Sequence, residues 1–168
     1  MTVTANYGGN NVKTEVIERY AHTWRTFAGI VEDFDDDAWL HTGKGIIIPV
    51  RIAFHILKAT TYYLEDETTV LLAAGKPFDG DWESVKEEDW PSRSDILAGI
   101  EALQVKTEKW LSDMDFDAEN TAFGWAGATK LGVALFLLSH TLYHVGGLNA
   151  FLEESKDGKA EDNYVKTL

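Results

Sequence analysis

The chain has 168 residues, a formal net charge of −13 and no cysteine. Its length supports one domain with a hydrophobic core, and we treat residues 1–168 as a single domain. Acidic residues are spread along the chain without a basic stripe to neutralise phosphates, so we expect no nucleic-acid partner. Without cysteine, disulfides, thiolate ligands and a cysteine nucleophile are excluded, which leaves histidines and carboxylates for metal chemistry.

Two segments bear on cellular location. The start, residues 1–13, has neither a basic region nor an apolar core, so it does not predict a signal peptide, and we expect a cytoplasmic protein. The stretch 131–152 carries no Lys, Arg, Asp or Glu and is long enough to span a bilayer. It contains histidines and glycines and is followed by two glutamates, where a basic flank would be expected. We therefore predict a buried helix of a soluble bundle and no membrane partner.

The first half of the chain predicts two helices. Apolar residues at intervals of three and four indicate the first, over about residues 12–34. The acidic run 35–37 ends this pattern, and two glycines predict an irregular connection over 38–48. Pro49 suits the first turn of the second helix, since proline has no N–H to leave unpaired. We place this helix over about residues 49–74, closed by Gly75.

Residues 75–91 form an acidic link in which we expect Phe78, Trp82 and Trp90 to act as anchors. Ser92 and Asp95 then have the spacing of a capping box, which predicts a third helix over about residues 92–114.

A fourth helix is predicted over about residues 129–154, followed by a polar tail that we expect to be extended or mobile. No strand pair is predicted. Four helices joined by long connections predict an all-α fold, a four-helix bundle that is either up-and-down or built with long crossover loops.

Three histidines are candidate ligands of one divalent metal ion. His140 and His144 are four residues apart, so they lie on one helical face with Cβ atoms ~5–6 Å apart and can reach the same ion. His55 lies in the apolar part of the second helix. Facing inward, it would complete a three-histidine site with an open position, as in catalytic zinc sites. Histidines packed in the core with satisfied nitrogens are the alternative interpretation of the same pattern.

Two further residues are candidate substrate contacts. Arg51, one turn before His55, would attract an anionic group, although a solvated arginine explains this position equally well. Gly147 follows His144 by three residues and would leave space beside the ion, although close helix packing explains a glycine equally well.

The remaining two histidines are not expected to bind metal. His22 is about 200° around the first helix from the apolar residues Tyr20 and Trp24, so we expect it to face water. His41 falls in the irregular connection, where no periodicity places it. It could approach the mouth of the site, but we favour the interpretation of a loop residue without a role there.

Four sequence motifs, in a fixed order along the chain, carry a resemblance to a known protein family. They are the acidic segment DDDAWL after the first helix, a histidine in the first half of the second, a Pro-Ser start to the third, and His-x-x-x-His in the fourth. In this order the chain resembles the DinB/YfiT-like superfamily over nearly its whole length. Many members continue the last motif with Arg-Gly-Gln, where this chain has Val145-Gly146-Gly147.

The resemblance implies a four-helix bundle with up-down-down-up topology, often dimeric. It also implies that His55, His140 and His144 bind a metal ion, commonly nickel or zinc. Some members are transferases or isomerases that use a low-molecular-weight thiol.

Three neutral ligands would leave the charge of the ion uncompensated, which makes it a strong Lewis acid towards water or a small thiol. We therefore expect a divalent-metal-dependent enzyme, a thiol-dependent S-transferase or a hydrolase acting on a small molecule, in a homodimer. A non-catalytic metal- or ligand-binding sensor bundle is the alternative. Haem ligation by the histidines is a third possibility, which a visible spectrum would distinguish.

Overall fold

The structure, a computed structural model, describes residues 9–168. This part of the chain is mostly helical, with four long helices and two short ones, in agreement with the all-α class. The helices are α1 (Gly9–Asp33), α2 (Asp36–His41), α3 (Pro49–Tyr63), α4 (Arg93–Asp113), α5 (Lys130–Ser155) and α6 (Asn163–Lys166). A small antiparallel hairpin pairs β1 (Leu72–Ala73) with β2 (Lys76–Pro77), and single 3-10 turns occur at Glu87–Asp89 and Gly124–Ala126.

The four long helices share one hydrophobic core. Helix α1 packs against α4 and α5, and α3 packs against the same two helices. The largest fully buried side chains come from all four: Trp24, Phe27 and Ile30 of α1, Ile56 and Leu57 of α3, Ile96, Leu103 and Leu111 of α4, and Leu137, Leu148 and Leu152 of α5. Burial of this apolar surface is the main force that holds the helices together. The packing of α3 against α5 is the contact that positions the candidate site.

Helix α1 ends one residue before the predicted boundary, but the acidic run after it does not form a loop. Asp35 is the N-cap of α2, and its carboxylate accepts a 2.8 Å hydrogen bond from the backbone N–H of Ala38. Asp36 and Asp37 occupy the first turn, where the helix dipole favours negative charge. The predicted irregular connection over 38–48 is therefore wrong in its first part.

Helix α3 begins at Pro49 as predicted, but it ends at Tyr63, so the predicted extension to residue 74 is wrong. Glu65 has a positive φ of 52°, and the carboxylate of Asp66 accepts hydrogen bonds from the backbone N–H and the hydroxyl of Thr68. Side-chain bonds of this kind offer the backbone an alternative to helix. The amino group of Lys106, on α4, donates a 2.6 Å bond to the same carboxylate and fixes the turn from outside.

The glycine predicted to close the second helix belongs to a hairpin instead. Ala74 and Gly75 lie between β1 and β2 with φ angles of 50° and 71°. Two consecutive residues with positive φ are what a two-residue hairpin turn requires. The expectation that the chain holds no strand pair is therefore wrong, although each strand has only two residues.

Aromatic side chains hold the acidic link against α3, as the sequence predicts. The ring centroid of Phe54 on α3 lies 4.9 Å from Phe78 and 5.9 Å from Trp82. Trp82 in turn contacts Trp90, at 5.1 Å between centroids. These edge-to-face contacts place Trp82 beside the N-terminal half of α3, next to Arg51.

The last two long helices agree with their predicted bounds to within one residue. Ser92 caps α4 and forms the predicted capping box with Asp95. The hydroxyl of Thr129 caps α5 by accepting a hydrogen bond from the backbone N–H of Gly132. Such N-caps satisfy backbone donors that have no partner within the helix.

Helix α5 is less buried than its apolar sequence predicts. By length and composition it is the one helix within residues 9–168 that could cross a membrane, and 33% of its most apolar window is buried inside the protein. Val133, Leu137 and Leu148 point into the core, but Leu142 and Tyr143 are exposed on the outside. The expectation of a helix buried on nearly all sides is therefore wrong.

The C-terminal tail packs against α1 and is not fully extended. Helix α6 places Asn163 in the core, where its side-chain amide donates a 2.8 Å hydrogen bond to Asp33. The ring of His22 is buried beneath this segment, with Nε2 2.9 Å from the backbone oxygen of Tyr164. His22 therefore does not face water, because the tail covers a side of α1 that helical periodicity alone assigns to solvent.

Candidate metal centre

Three histidine rings from two helices meet at one point. His55 comes from α3, and His140 and His144 come from successive turns of α5. The ring centroid of His55 lies 5.1 Å from that of His140 and 4.6 Å from that of His144, and the latter two are 4.6 Å apart. One nitrogen of each ring lies within 4.8 Å of the others. The three histidines are therefore close enough to bind a single metal ion.

The separation of two ring nitrogens allows a test of this fit. Nε2 of His55 and Nε2 of His140 are 3.2 Å apart. Two nitrogens that each lie ~2.0–2.1 Å from a tetrahedral zinc ion are separated by roughly 3.3 Å. This pair thus has the spacing of two ligands of one ion, and the nitrogen of the third ring, His144, lies within 4.8 Å of both. Neutral imidazoles suit zinc, nickel, iron and copper alike, so the donor set does not select one of them.

The site lies in an open cleft and not inside the core. His55 is exposed, and His140 and His144 are partly buried. The expectation that His55 faces inward is therefore wrong, because α3 and α5 present these rings at the edge of their packing surface. This position leaves one side of the cluster open to small molecules.

Partial removal from water lowers the pKa of all three imidazoles. For His55 this desolvation is the cause of the lowered pKa, and for His140 repulsion from a charged His55 lowers the pKa further. For His144, burial and repulsion from the other two rings lower the pKa to about 4. The rings are therefore neutral at pH 7, which is the form of histidine that binds metal ions.

The described residues place no carboxylate directly beside the three rings. Among residues 9–168, no carboxylate oxygen lies within 4.0 Å of a ring nitrogen of the cluster. Nδ1 of His140 is buried without a hydrogen-bond partner. Histidine ligands often donate this second N–H to a carboxylate or a carbonyl, and such partners raise ligand basicity. An ion held by these rings would keep most of its positive charge for an incoming ligand.

Two grooves meet at the histidine cluster. The first, which we call the apolar groove, has a volume of about 810 Å³ and includes His55 and His144 in its lining. Its other lining residues are mostly apolar: Ile46, Ile47, Arg51, Ile52, Trp82, Tyr143, Gly147, Ala150 and Phe151. The second, the polar groove, has a volume of about 880 Å³ and includes His55 and His140. Lys58, Thr61, Thr69 and the acidic residues Glu65, Asp66 and Glu67 also line it.

Both candidate substrate contacts line the apolar groove. The guanidinium carbon of Arg51 lies 5.0 Å from the ring centroid of Trp82. A Cβ atom added at Gly147 would meet no other heavy atom within 4 Å, so close helix packing does not explain this glycine. Trp82 itself was not identified as a groove residue from the sequence, because its place beside Arg51 depends on how the acidic link folds back.

The other two histidines lie outside the cluster. His22 is buried under the C-terminal tail, and Nε2 of His41 lies 3.9 Å from Asp37 and 3.8 Å from Glu87. His41 is therefore a surface residue among acidic side chains.

Comparison of the whole chain with models of known protein families, with curated proteins and with solved structures finds no match. The assignment of function therefore depends on the geometry of the site.

Proposed function

We propose that this protein is a divalent-metal-dependent enzyme that holds one zinc or nickel ion through His55, His140 and His144. The observation that carries the proposal is the convergence of three neutral imidazoles, from two helices, in a cleft that is open to two grooves. A metal ion bound there would act as a Lewis acid that lowers the pKa of a water or a small thiol bound to it.

The two grooves suit a reaction with two small-molecule reactants. The polar groove brings the carboxylates of Glu65 and Glu67 into the cavity that His55 and His140 line, so proton acceptors are present on that side. The apolar groove leads to His55 and His144 from the other side and offers space for an apolar substrate. Since the chain has no cysteine, a sulfur nucleophile would have to come from a low-molecular-weight thiol. We therefore propose thiol-dependent S-transfer, or hydrolysis when water takes the place of the thiol.

We further propose that the chain belongs to the DinB/YfiT-like superfamily and has its four-helix bundle with up-down-down-up topology. The packing of α1 and α3 against the same two helices, α4 and α5, supports this arrangement. In this packing the first two long helices, α1 and α3, lie diagonally opposite each other, which is compatible with long crossover connections.

A homodimer is the assembly that we propose. Leu142 on the outside of α5 is 39% exposed, and Leu135, two turns earlier, is 45% exposed. An apolar surface of this kind on a long helix is typical of a protein interface. A second copy of α5 would cover it with matching side chains about a two-fold axis.

The test combines metal analysis with a reaction assay. The purified wild type is expected to contain close to one divalent ion per chain and to consume a small thiol in the presence of an electrophilic substrate. The double variant His140→Ala, His144→Ala should lose both the ion and the reaction, whereas His41→Ala should keep both. Wild type that retains no metal after incubation with zinc or nickel would refute the proposal.

A non-catalytic role in ligand or metal binding is the second candidate. It is favoured by the absence, within residues 9–168, of any carboxylate oxygen within 4.0 Å of the three ring nitrogens. A metal-loaded wild type that consumes neither thiols nor hydrolysable esters would favour this role.

A further inference from the structure

The apolar groove contains the guanidinium group of Arg51, for which the described residues supply no carboxylate partner. We propose that this groove binds a small apolar carboxylate, whose carboxylate group pairs with Arg51 and whose hydrocarbon part extends towards His55 and His144. The inference rests on the proposed function in one respect, since it names the substrate class that would reach the metal centre. The binding itself requires only the groove.

Electrostatics favour an anionic ligand at Arg51. The chain has 28 acidic and 15 basic residues, and six of the basic side chains form salt bridges, such as that of Arg93 with Asp36 at 2.7 Å. Arg51 is partly buried, yet within residues 9–168 no carboxylate oxygen lies within 4.0 Å of its guanidinium group. It also makes no side-chain hydrogen bond to the described part of the chain. A partly desolvated guanidinium with free donors is suited to bind a planar carboxylate through two hydrogen bonds.

The side chain of Arg51 is held in place by an aromatic contact. Its guanidinium carbon is 5.0 Å from the ring of Trp82, a distance at which a cation is attracted to the face of an aromatic ring. Trp82 is in turn held by Phe78, at 5.2 Å, and by Trp90. The charge is therefore positioned before a ligand arrives, which reduces the entropy lost on binding.

The lining of the groove is mostly apolar. Ile46 and Ile47 are 67% and 58% exposed, and with Phe151 they form an apolar wall along which a hydrocarbon chain can lie. Of the residues that the structure describes, no acidic one lines the groove, and Arg51 is the one permanently charged side chain among them. One cation in an apolar channel fits a monoanion with a hydrocarbon body better than a phosphate ester or another multiply charged ligand.

The position of Arg51 relative to the metal centre sets the orientation of the ligand. Arg51 precedes His55 by four residues on α3, so the two side chains lie on the same face about 6 Å apart along the helix axis. When the carboxylate of a ligand pairs with Arg51, a carbon atom of that ligand a few bonds from the carboxylate would lie at the open side of the histidine cluster.

The experiment measures the binding of octanoate and of its neutral isostere octanamide by isothermal titration calorimetry. Both ligands are titrated into metal-free and zinc-loaded protein. Wild type is expected to bind octanoate about 10-fold more tightly than octanamide in both forms, because hydrogen bonds to charged groups are stronger than neutral ones. Arg51→Gln should abolish this preference. Arg19→Gln makes the same charge change at an exposed site on α1 and should leave the preference intact.

A second variant tests the same groove in case Arg51→Gln does not fold. Ile47→Asp alters an exposed residue of the apolar wall and is expected to weaken octanoate at least 10-fold, and octanamide less, since it adds a negative charge to the groove. Circular dichroism checks that both variants are folded. Equal binding of the two ligands by wild type would overturn the proposal, as would octanoate binding that survives both groove variants.

The same titrations separate this inference from the proposed function. Octanoate binding that persists in Arg51→Gln but disappears in His140→Ala, His144→Ala would place the carboxylate on the metal and overturn the inference alone. Octanoate binding that depends on Arg51 in a protein that retains no metal would support the inference and refute the metal-dependent reaction.

Discussion

Nε2 of His55 and Nε2 of His140 lie 3.2 Å apart, although 85 positions separate the two residues in the sequence. This distance is close to the separation of two nitrogen ligands bound to the same tetrahedral metal ion. Because His55 belongs to α3 and His140 to α5, an ion bound to both would also link two helices of the core.

Metal binding is therefore expected to stabilise the fold. At a free Zn²⁺ concentration 100 times the dissociation constant, binding to the native state adds about 2.7 kcal/mol to the free energy of unfolding. For a chain of this size we expect Tm to rise by about 5–10 °C. Thermal melts followed by circular dichroism, with and without EDTA, measure the change. His41→Ala should show the full increase and His55→Ala very little; an equal increase in both would place the ion elsewhere.

The acid titration of the metal-free cluster gives a second prediction. Burial and the neighbouring rings lower the pKa of His144 to about 4, from 6.5 for an unperturbed histidine. Between these pH values the unfolded chain binds more protons at this residue, so its contribution to stability should fall as the pH drops from about 6.5 to about 4. NMR of the imidazole signals, assigned with His144→Ala, measures the titration. A midpoint near 6.5 would contradict the arrangement of the three rings.

Alanine substitutions at two adjacent glycines of α5, Gly146 and Gly147, test whether Gly147 contributes to ligand binding. An added Cβ meets no atom within 4 Å at either Gly146 or Gly147, but only Gly147 lines the apolar groove. Alanine at either position should raise the free energy of unfolding by about 0.5–1 kcal/mol, because glycine is unfavourable inside a helix. Gly147→Ala should in addition weaken octanoate binding, which Gly146→Ala should leave unchanged. Chemical denaturation and calorimetry measure the two effects, and equal ligand affinities in the two variants would exclude Gly147 from the binding surface.

The turn that ends α3 depends on one carboxylate. Hydrogen bonds from Lys106, first of all, and from Thr68 and Thr69 hold the pKa of Asp66 well below its ordinary value. We expect Asp66→Asn to lower the free energy of unfolding by about 1–3 kcal/mol, since a charged acceptor is lost. The contribution of Asp66 is present above pH 3.8 and is lost as the pH falls below that value towards the lowered pKa. Urea denaturation of Asp66→Asn beside the exposed control Glu67→Gln measures it, and similar losses in both would show that the network contributes little.

The exposed face of α5 predicts how the assembly responds to mutation. Leu142→Asp places a charge in the proposed interface between two copies and should convert the dimer to a monomer. Val105 on α4 is also an exposed apolar residue, at 66%, and Val105→Asp should leave the dimer intact. Analytical ultracentrifugation distinguishes the two species. A wild type that sediments as a monomer at micromolar concentration would exclude this interface.

Local signals predicted several helix ends well. Ser92 and Asp95 satisfy each other's backbone donors within one turn, so the start of α4 is encoded by residues that are adjacent in sequence. The end of α3 could not be predicted in the same way, because Lys106 reaches Asp66 from another helix. His22 illustrates the same limit: periodicity assigned it to water, and a tail that follows it by about 140 positions buries it.

Residue types and their spacing are enough to predict which histidines could form a site. The four-residue spacing of His140 and His144 places both rings on one face of any helix that contains them. The packing of the helices, in contrast, brings His55 to these rings, opens the cluster to the surface and places Trp82 against Arg51. These relationships depend on how α3, α5 and the acidic link pack together, and packing is set by apolar contacts spread over the whole core and not by any local pattern.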